Sequence, residues 1–153
     1  MGEVSFAQSG TSSEGIGVAM DNPGVRFAGY AAVFDAVDRG GDIVRRGAFA
    51  GAAETVPLLW QHGGRTVGSV RVLGEDARGL RVIGSVAEPG LAALVAKGAV
   101  TGLSFGYRAR GVRRGAVREL TQVDLVEVSL VAQPMQRLAR VHAVERHPST
   151  SSG

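Results

Sequence analysis

Ser104 stands between two glycines in the apolar stretch Thr101-Gly102-Leu103-Ser104-Phe105-Gly106-Tyr107. A hydroxyl in such a setting is either a buried structural serine or a nucleophile. Serine alone is a poor nucleophile, so the second role needs a base and a group that orients the base. The glycines could make room for a second backbone, here a substrate's. His62, in Gln61-His62-Gly63-Gly64, is the first candidate base. The apolar run Val56-Pro57-Leu58-Leu59-Trp60 would anchor it, and the glycines after it would leave the ring accessible. The alternative is an exposed loop histidine. His142 lies in a late apolar segment and reads as a packed or surface residue, while His147 falls in a polar tail. The three histidines lack metal-site spacing, so neither a metal nor a cofactor is expected.

Glu127 is the candidate orienting acid. It interrupts Val123-Asp124-Leu125-Val126-Glu127-Val128-Ser129-Leu130-Val131, the strongest strand pattern in the chain. Strand alternation puts Val123, Leu125, Glu127, Ser129 and Val131 on one side. Burying a lone carboxylate there costs too much, so it needs a partner. That partner is either one of the many arginines or an imidazole, which the carboxylate would hold in one tautomer. Asp124, nearer the strand end and easier to solvate, is the alternative third member. Gly102-Leu103-Ser104-Phe105-Gly106 also spells the G-x-S-x-G elbow, and the order Ser104, Asp124 or Glu127, His142 would suit it. That elbow needs a strand-to-helix turn in a large parallel sheet, whereas the residues after Ser104 continue as a strand.

These residues must be held by short strands. Val25–Phe34, Thr66–Leu73, Gly79–Val86, Gly106–Gly111 and Val123–Val131 read as strands, and Ala139–Val144 as a last short one. Glu75–Gly79 and Arg113–Gly115 read as turns. Gly47–Glu54 is alanine-rich enough for a short helix, and Gly90–Lys97 has helical spacing of Leu91, Leu94 and Val95. Long βαβ units are absent. The expected fold class is α+β: a mostly antiparallel β-barrel or sheet surrounded by short helices. Residues 1–23 are expected to be a flexible arm with a short strand near Gly17–Met20. Residues 24–145 would form one domain and 146–153 a disordered polar tail.

At 153 residues one domain with a real core is expected. The absence of cysteine excludes a disulfide framework, a thiol nucleophile and a thiolate metal site. No apolar run approaches the roughly 18 residues of a membrane span, and no leader pattern opens the chain. The net charge is +3, carried by arginines with Lys97 as the sole lysine. Arg108, Arg110, Arg113, Arg114 and Arg118 could form a phosphate-binding ribbon or dock an acidic partner. Only Tyr107 is near enough to stack on bases, so a solvated hairpin is the preferred reading and nucleic acid is not expected as a partner.

Together the blocks Gly29–Phe34, Gly41–Val44, Val56–His62, Glu75–Leu80, Gly102–Tyr107 and Val123–Val131 resemble the prohead (capsid maturation) proteases of tailed phages. These serine peptidases are related in fold to the herpesvirus assemblins. The resemblance runs from about Val25 to Val144 and implies a herpesvirus-protease-like fold. It implies Ser104 as nucleophile and His62 as general base, with Glu127 best matching the acidic third member of the phage branch. The implied substrates are the scaffolding segment of the major capsid protein, the scaffold and the chain itself. The arm and the tail would be the self-cleavage regions. The implied place is the procapsid in the host bacterial cytoplasm, with a homodimer as one oligomeric state. The segment between Gly84 and Gly98 is shorter than usual in the family, and Pro134-Met135-Gln136 stands where Pro-Ala-Asn is common. The competing reading is a non-catalytic β-rich assembly protein of the same fold.

Overall fold

A computed structural model describes residues 24–146. The expected arm, its strand near Gly17–Met20 and residues 147–153 of the expected tail lie outside the described residues. The elements are β1 (Val25–Val33), β2 (Asp42–Val44), β3 (Thr55–Trp60), β4 (Gly63–Glu75), β5 (Gly79–Val86), α1 (Pro89–Ala96), β6 (Gly102–Arg113), β7 (Arg118–Val131) and β8 (Val141–Arg146). The strands form one sheet in the order β2-β7-β3-β4-β5-β1-β8, with β6 on β7. Hairpin-connected neighbours pair antiparallel, as do β1 with β5 and β8. The exceptions are β2 and β3, which both run parallel to β7.

The β6 branch meets the β8 end of this path. Gly102, at the start of β6, bridges to Arg140 just before β8. The Leu103 N–H donates to the Ala139 carbonyl at 2.9 Å, and the Val141 N–H to the Thr101 carbonyl at 2.8 Å. The sheet therefore curls almost fully round. Its inner face is filled by Phe27, Leu58, Leu80, Leu103, Leu120 and Leu130, each essentially inaccessible to water. Burying such side chains contributes about 1.5–3 kcal/mol apiece, an upper estimate.

The helix expected at Gly90–Lys97 is α1. Glu88 caps it by accepting from the Leu91 N–H at 2.6 Å, and proline opens its first turn. The helix expected at Gly47–Glu54 is not formed, so among the described residues the sheet carries one α-helix rather than several. Residues 46–51 make successive turns, with the Ala48 and Ala50 N–H groups bonded to the carbonyls three residues back. Gly47 and Gly51 adopt φ of +88° and +82°, which a right-handed helix cannot contain. The Glu75 carboxylate on β4 then takes the Gly47 and Phe49 N–H groups at 2.7 and 2.9 Å, closing the turn from outside. Alanine propensity, a few tenths of a kcal/mol per residue, is overridden by these contacts.

Candidate active site

β7 runs between β3 and β6 and sets the registers of both. Ser129 lies opposite Ser104 on β6 and opposite Leu59 on β3, and Glu127 lies opposite Gly106. Leu58, Leu103, Val128 and Leu130 fill the core, so alternation turns Ser104 and Ser129 to the outer face. Ser104 is 7% exposed, shielded but reachable.

His62 reaches this face from a turn. Trp60 pairs with Gly63, so Gln61 and His62 are the two loop residues of the β3–β4 hairpin. Their φ values are +55° and +63°. A two-residue hairpin loop follows the right-handed sheet twist best with both residues in this left-handed region. Non-glycine residues are uncommon there, although histidine is among those enriched. Each such residue costs on the order of 1–3 kcal/mol unless its surroundings hold it. Three bonds to the end of β7 hold the two loop residues, two at Gln61 and one at His62. The Gln61 N–H donates to the Leu130 carbonyl at 2.9 Å. The Ala132 N–H donates to Gln61 Oε1 at 2.7 Å, and the His62 N–H to Ser129 Oγ at 3.0 Å.

The imidazole then lies between two partners. His62 Nδ1 is 2.7 Å from Glu127 Oε2, and His62 Nε2 is 3.0 Å from Ser104 Oγ. An ionised carboxylate can only accept, so the neutral ring carries its proton on Nδ1 and offers the Nε2 lone pair to the Ser104 hydroxyl. The other carboxylate oxygen, Glu127 Oε1, accepts from Ser129 Oγ at 2.8 Å. Glu127 is thus buried, at 10% side-chain exposure, with an imidazole and a hydroxyl as partners rather than an arginine. A hydroxyl whose proton an oriented imidazole can take is the arrangement used for acyl transfer.

The glycines flanking Ser104 do something other than admit a substrate backbone. A Cβ on Gly106 would overlap Glu127 Oε2, so Gly106 is the seat of the carboxylate. A Cβ on Gly102 would stand 2.6 Å from the Val131 carbonyl oxygen and 2.8 Å from Pro134 Cδ. Both glycines make room for the protein's own chain.

The other candidates lie elsewhere. Asp124 binds Arg110 at 2.8 Å on the surface. Between it and Glu127 the β6–β7 register shifts by one residue at Val126. His142 packs edge-on against Tyr30, with ring centroids 5.5 Å apart. His147 is outside the described residues. Ser104 sits within a continuous strand, so no elbow forms. Three of the five ribbon arginines hold carboxylates: Arg110 with Asp124, Arg113 with Glu119, and Arg118 in a two-pronged pair with Asp42. The bonds from Arg118 keep the Asp42 carboxyl below its usual range, and those from Arg45 do the same for Glu119. Tyr107 leans on Phe105, with centroids 5.1 Å apart, and is no free stacking platform. Among the described residues no cluster of three or more histidine, cysteine, aspartate or glutamate side chains is placed to hold a metal ion. No described helix is long and apolar enough to cross a membrane.

Sequence reasoning missed Ser129 and Gln61. The signal for Ser129 was its position two residues after Glu127, on the same strand face. For Gln61 there was only its adjacency to His62.

A shielded serine, an imidazole and a buried carboxylate are thus joined in a hydrogen-bonded row on a curled, mostly antiparallel sheet. The sequence matches the family model described as caudovirus prohead serine protease over residues 16–152, and the chain belongs to that family. Among solved structures it is similar to the KSHV protease in complex with a hexapeptide phosphonate inhibitor, with a TM-score of 0.52 and 14% sequence identity. The match covers 80% of this chain and 65% of that one. At this identity the likeness is one of fold, and the fold is herpesvirus-protease-like. No curated protein matches the chain in sequence.

Proposed function

We propose that the protein is a serine endopeptidase of procapsid maturation, with Ser104 as nucleophile, His62 as general base and Glu127 as orienting acid. The observation that carries this reading is the His62 ring bonded on one nitrogen to Glu127 and on the other to Ser104. His62 Nε2 takes the hydroxyl proton as Ser104 Oγ bonds the peptide carbonyl carbon. The C–N bond breaks, and the same proton passes from Nε2 to the leaving amine. Water then gives a proton to Nε2 as its oxygen bonds the acyl carbon. The ester bond to Oγ breaks, and that proton returns to Ser104. Glu127 keeps Nδ1 protonated throughout and stabilises the imidazolium.

Family membership supports capsid-related substrates: the scaffolding segment of the major capsid protein, the scaffold, and this chain's own arm and tail. The site of action is then the procapsid in the host cytoplasm. The hexapeptide phosphonate inhibitor held by the KSHV protease is in keeping with a peptide as substrate. The test is co-expression with the capsid protein. Ser104→Ala and His62→Ala should each abolish capsid trimming, a loss of about 10⁶-fold in rate for either member of such a pair. Undiminished trimming in both variants would contradict the proposal.

A further inference from the structure

We infer that Ser129 is a positioning residue of the same site, aiming Glu127 at His62 and pinning the hairpin that carries His62. The inference rests on the roles proposed above for Ser104, His62 and Glu127. Ser129 is fully buried. Its hydroxyl donates to Glu127 Oε1 at 2.8 Å and accepts from the His62 N–H at 3.0 Å. Both directions are dictated by chemistry, since an ionised carboxylate has no proton to give and an amide N–H has no lone pair to offer.

Each bond has a separate consequence. Glu127 hangs from a flexible side chain, and fixing Oε1 leaves Oε2 as the oxygen presented to Nδ1. His62 occupies left-handed backbone, and the Ser129 oxygen is the acceptor for its N–H. One hydroxyl therefore couples the acid to the backbone of the base. A merely structural buried serine satisfies its hydroxyl on any nearby carbonyl. Here both partners belong to the proposed catalytic array. Ser129 is also the cross-strand neighbour of Ser104 itself.

The test uses purified protein and a peptidyl fluorophosphonate, which phosphonylates an activated serine as its Oγ bonds phosphorus and fluoride leaves. It reads the saturating inactivation rate kinact separately from the half-saturating concentration KI. Ser129→Ala should lower kinact about 10- to 100-fold, the scale of one lost hydrogen bond to a charged group. KI should stay within about 3-fold, because Ser129 acts through other residues and not on the ligand. Ser129→Thr, which keeps the hydroxyl, should restore most of the rate. In a Glu127→Gln background, Ser129→Ala should cost no more than about 3-fold further, as expected of residues acting as a unit.

Wild-type kinact in Ser129→Ala would overturn the inference. So would an equal loss in both backgrounds, which marks a structural serine. If Ser129→Ala fails to fold, Ser129→Cys carries the test: its thiol fills the space but donates weakly, so kinact must fall with the fold intact. Wild-type kinact in that variant would equally overturn the inference. Full labelling of Ser104→Ala would instead sink the assignment beneath it, and that outcome is distinct from any result at Ser129.

Discussion

The β6–β7 hairpin treats its carboxylates in opposite ways on either side of the register shift at Val126. On the distal side Asp124 meets Arg110 at the surface, and the half-buried Glu119 is shared between Arg45 and Arg113. An exposed pair such as Asp124–Arg110 contributes roughly 0–1 kcal/mol and weakens with salt. On the proximal side Glu127 is buried, and its partners are His62 and Ser129. Asp124 and Glu127 are three residues apart on one strand, yet their side chains are 44% and 10% exposed. What separates them is the cross-strand neighbour. Arg108 lies opposite Asp124, where the ribbon is solvated, whereas Gly106 lies opposite Glu127 and leaves a hollow for its carboxylate. A carboxylate in that hollow, with an imidazole and a hydroxyl rather than a guanidinium as its partners among the described residues, is free to polarise the imidazole.

The contrast can be broken at three points. The largest effect is expected from Glu127→Gln, which keeps the shape but removes the charge and allows the wrong histidine tautomer. Its cleavage rate should fall about 10⁴-fold with folding unchanged, measured by capsid trimming and thermal melting. Gly106→Ala should come next. Its methyl must displace Glu127 Oε2, and a misplacement of about 1 Å in such an array costs about 100-fold in rate. If Gly106→Ala trims at the wild-type rate, the hollow is not what positions the acid. Asp124→Asn should do least: less than about 2-fold in rate and within about 0.5 kcal/mol in stability, since its ion pair with Arg110 is exposed. A loss in Asp124→Asn as large as that in Glu127→Gln would transfer the role to the distal side.

The same contrast explains what the sequence could reveal. Glu127 stands out because a charge inside an apolar strand demands a partner. Asp124, half-way along β7 but with an exposed side chain, makes no such demand. Ser104, His62 and Glu127, which the sequence singles out, lie within hydrogen-bonding distance in a chain. Ser129 carries no comparable signal, because a serine in a buried strand satisfies itself in many ways. The parallel pairing of β3 and β2 with β7 is equally invisible, since local alternation reports which face a residue takes and not which strand lies alongside. The turns at residues 46–51 were masked by alanine composition, which spoke for helix while Gly47, Gly51 and the distant Glu75 decided otherwise. The left-handed conformation at Gln61 and His62 follows from hairpin length, and that is known only once Trp60 and Gly63 are seen to pair.

The most direct measurement is to label the purified protein with a fluorophosphonate and map the adduct by mass spectrometry, in the wild type and in His62→Ala. One adduct on Ser104 is predicted, forming at least about 10³-fold more slowly in His62→Ala. An adduct on any other residue, or equal labelling of Ser104 in the two proteins, would contradict the assignment of Ser104 as a nucleophile activated by His62.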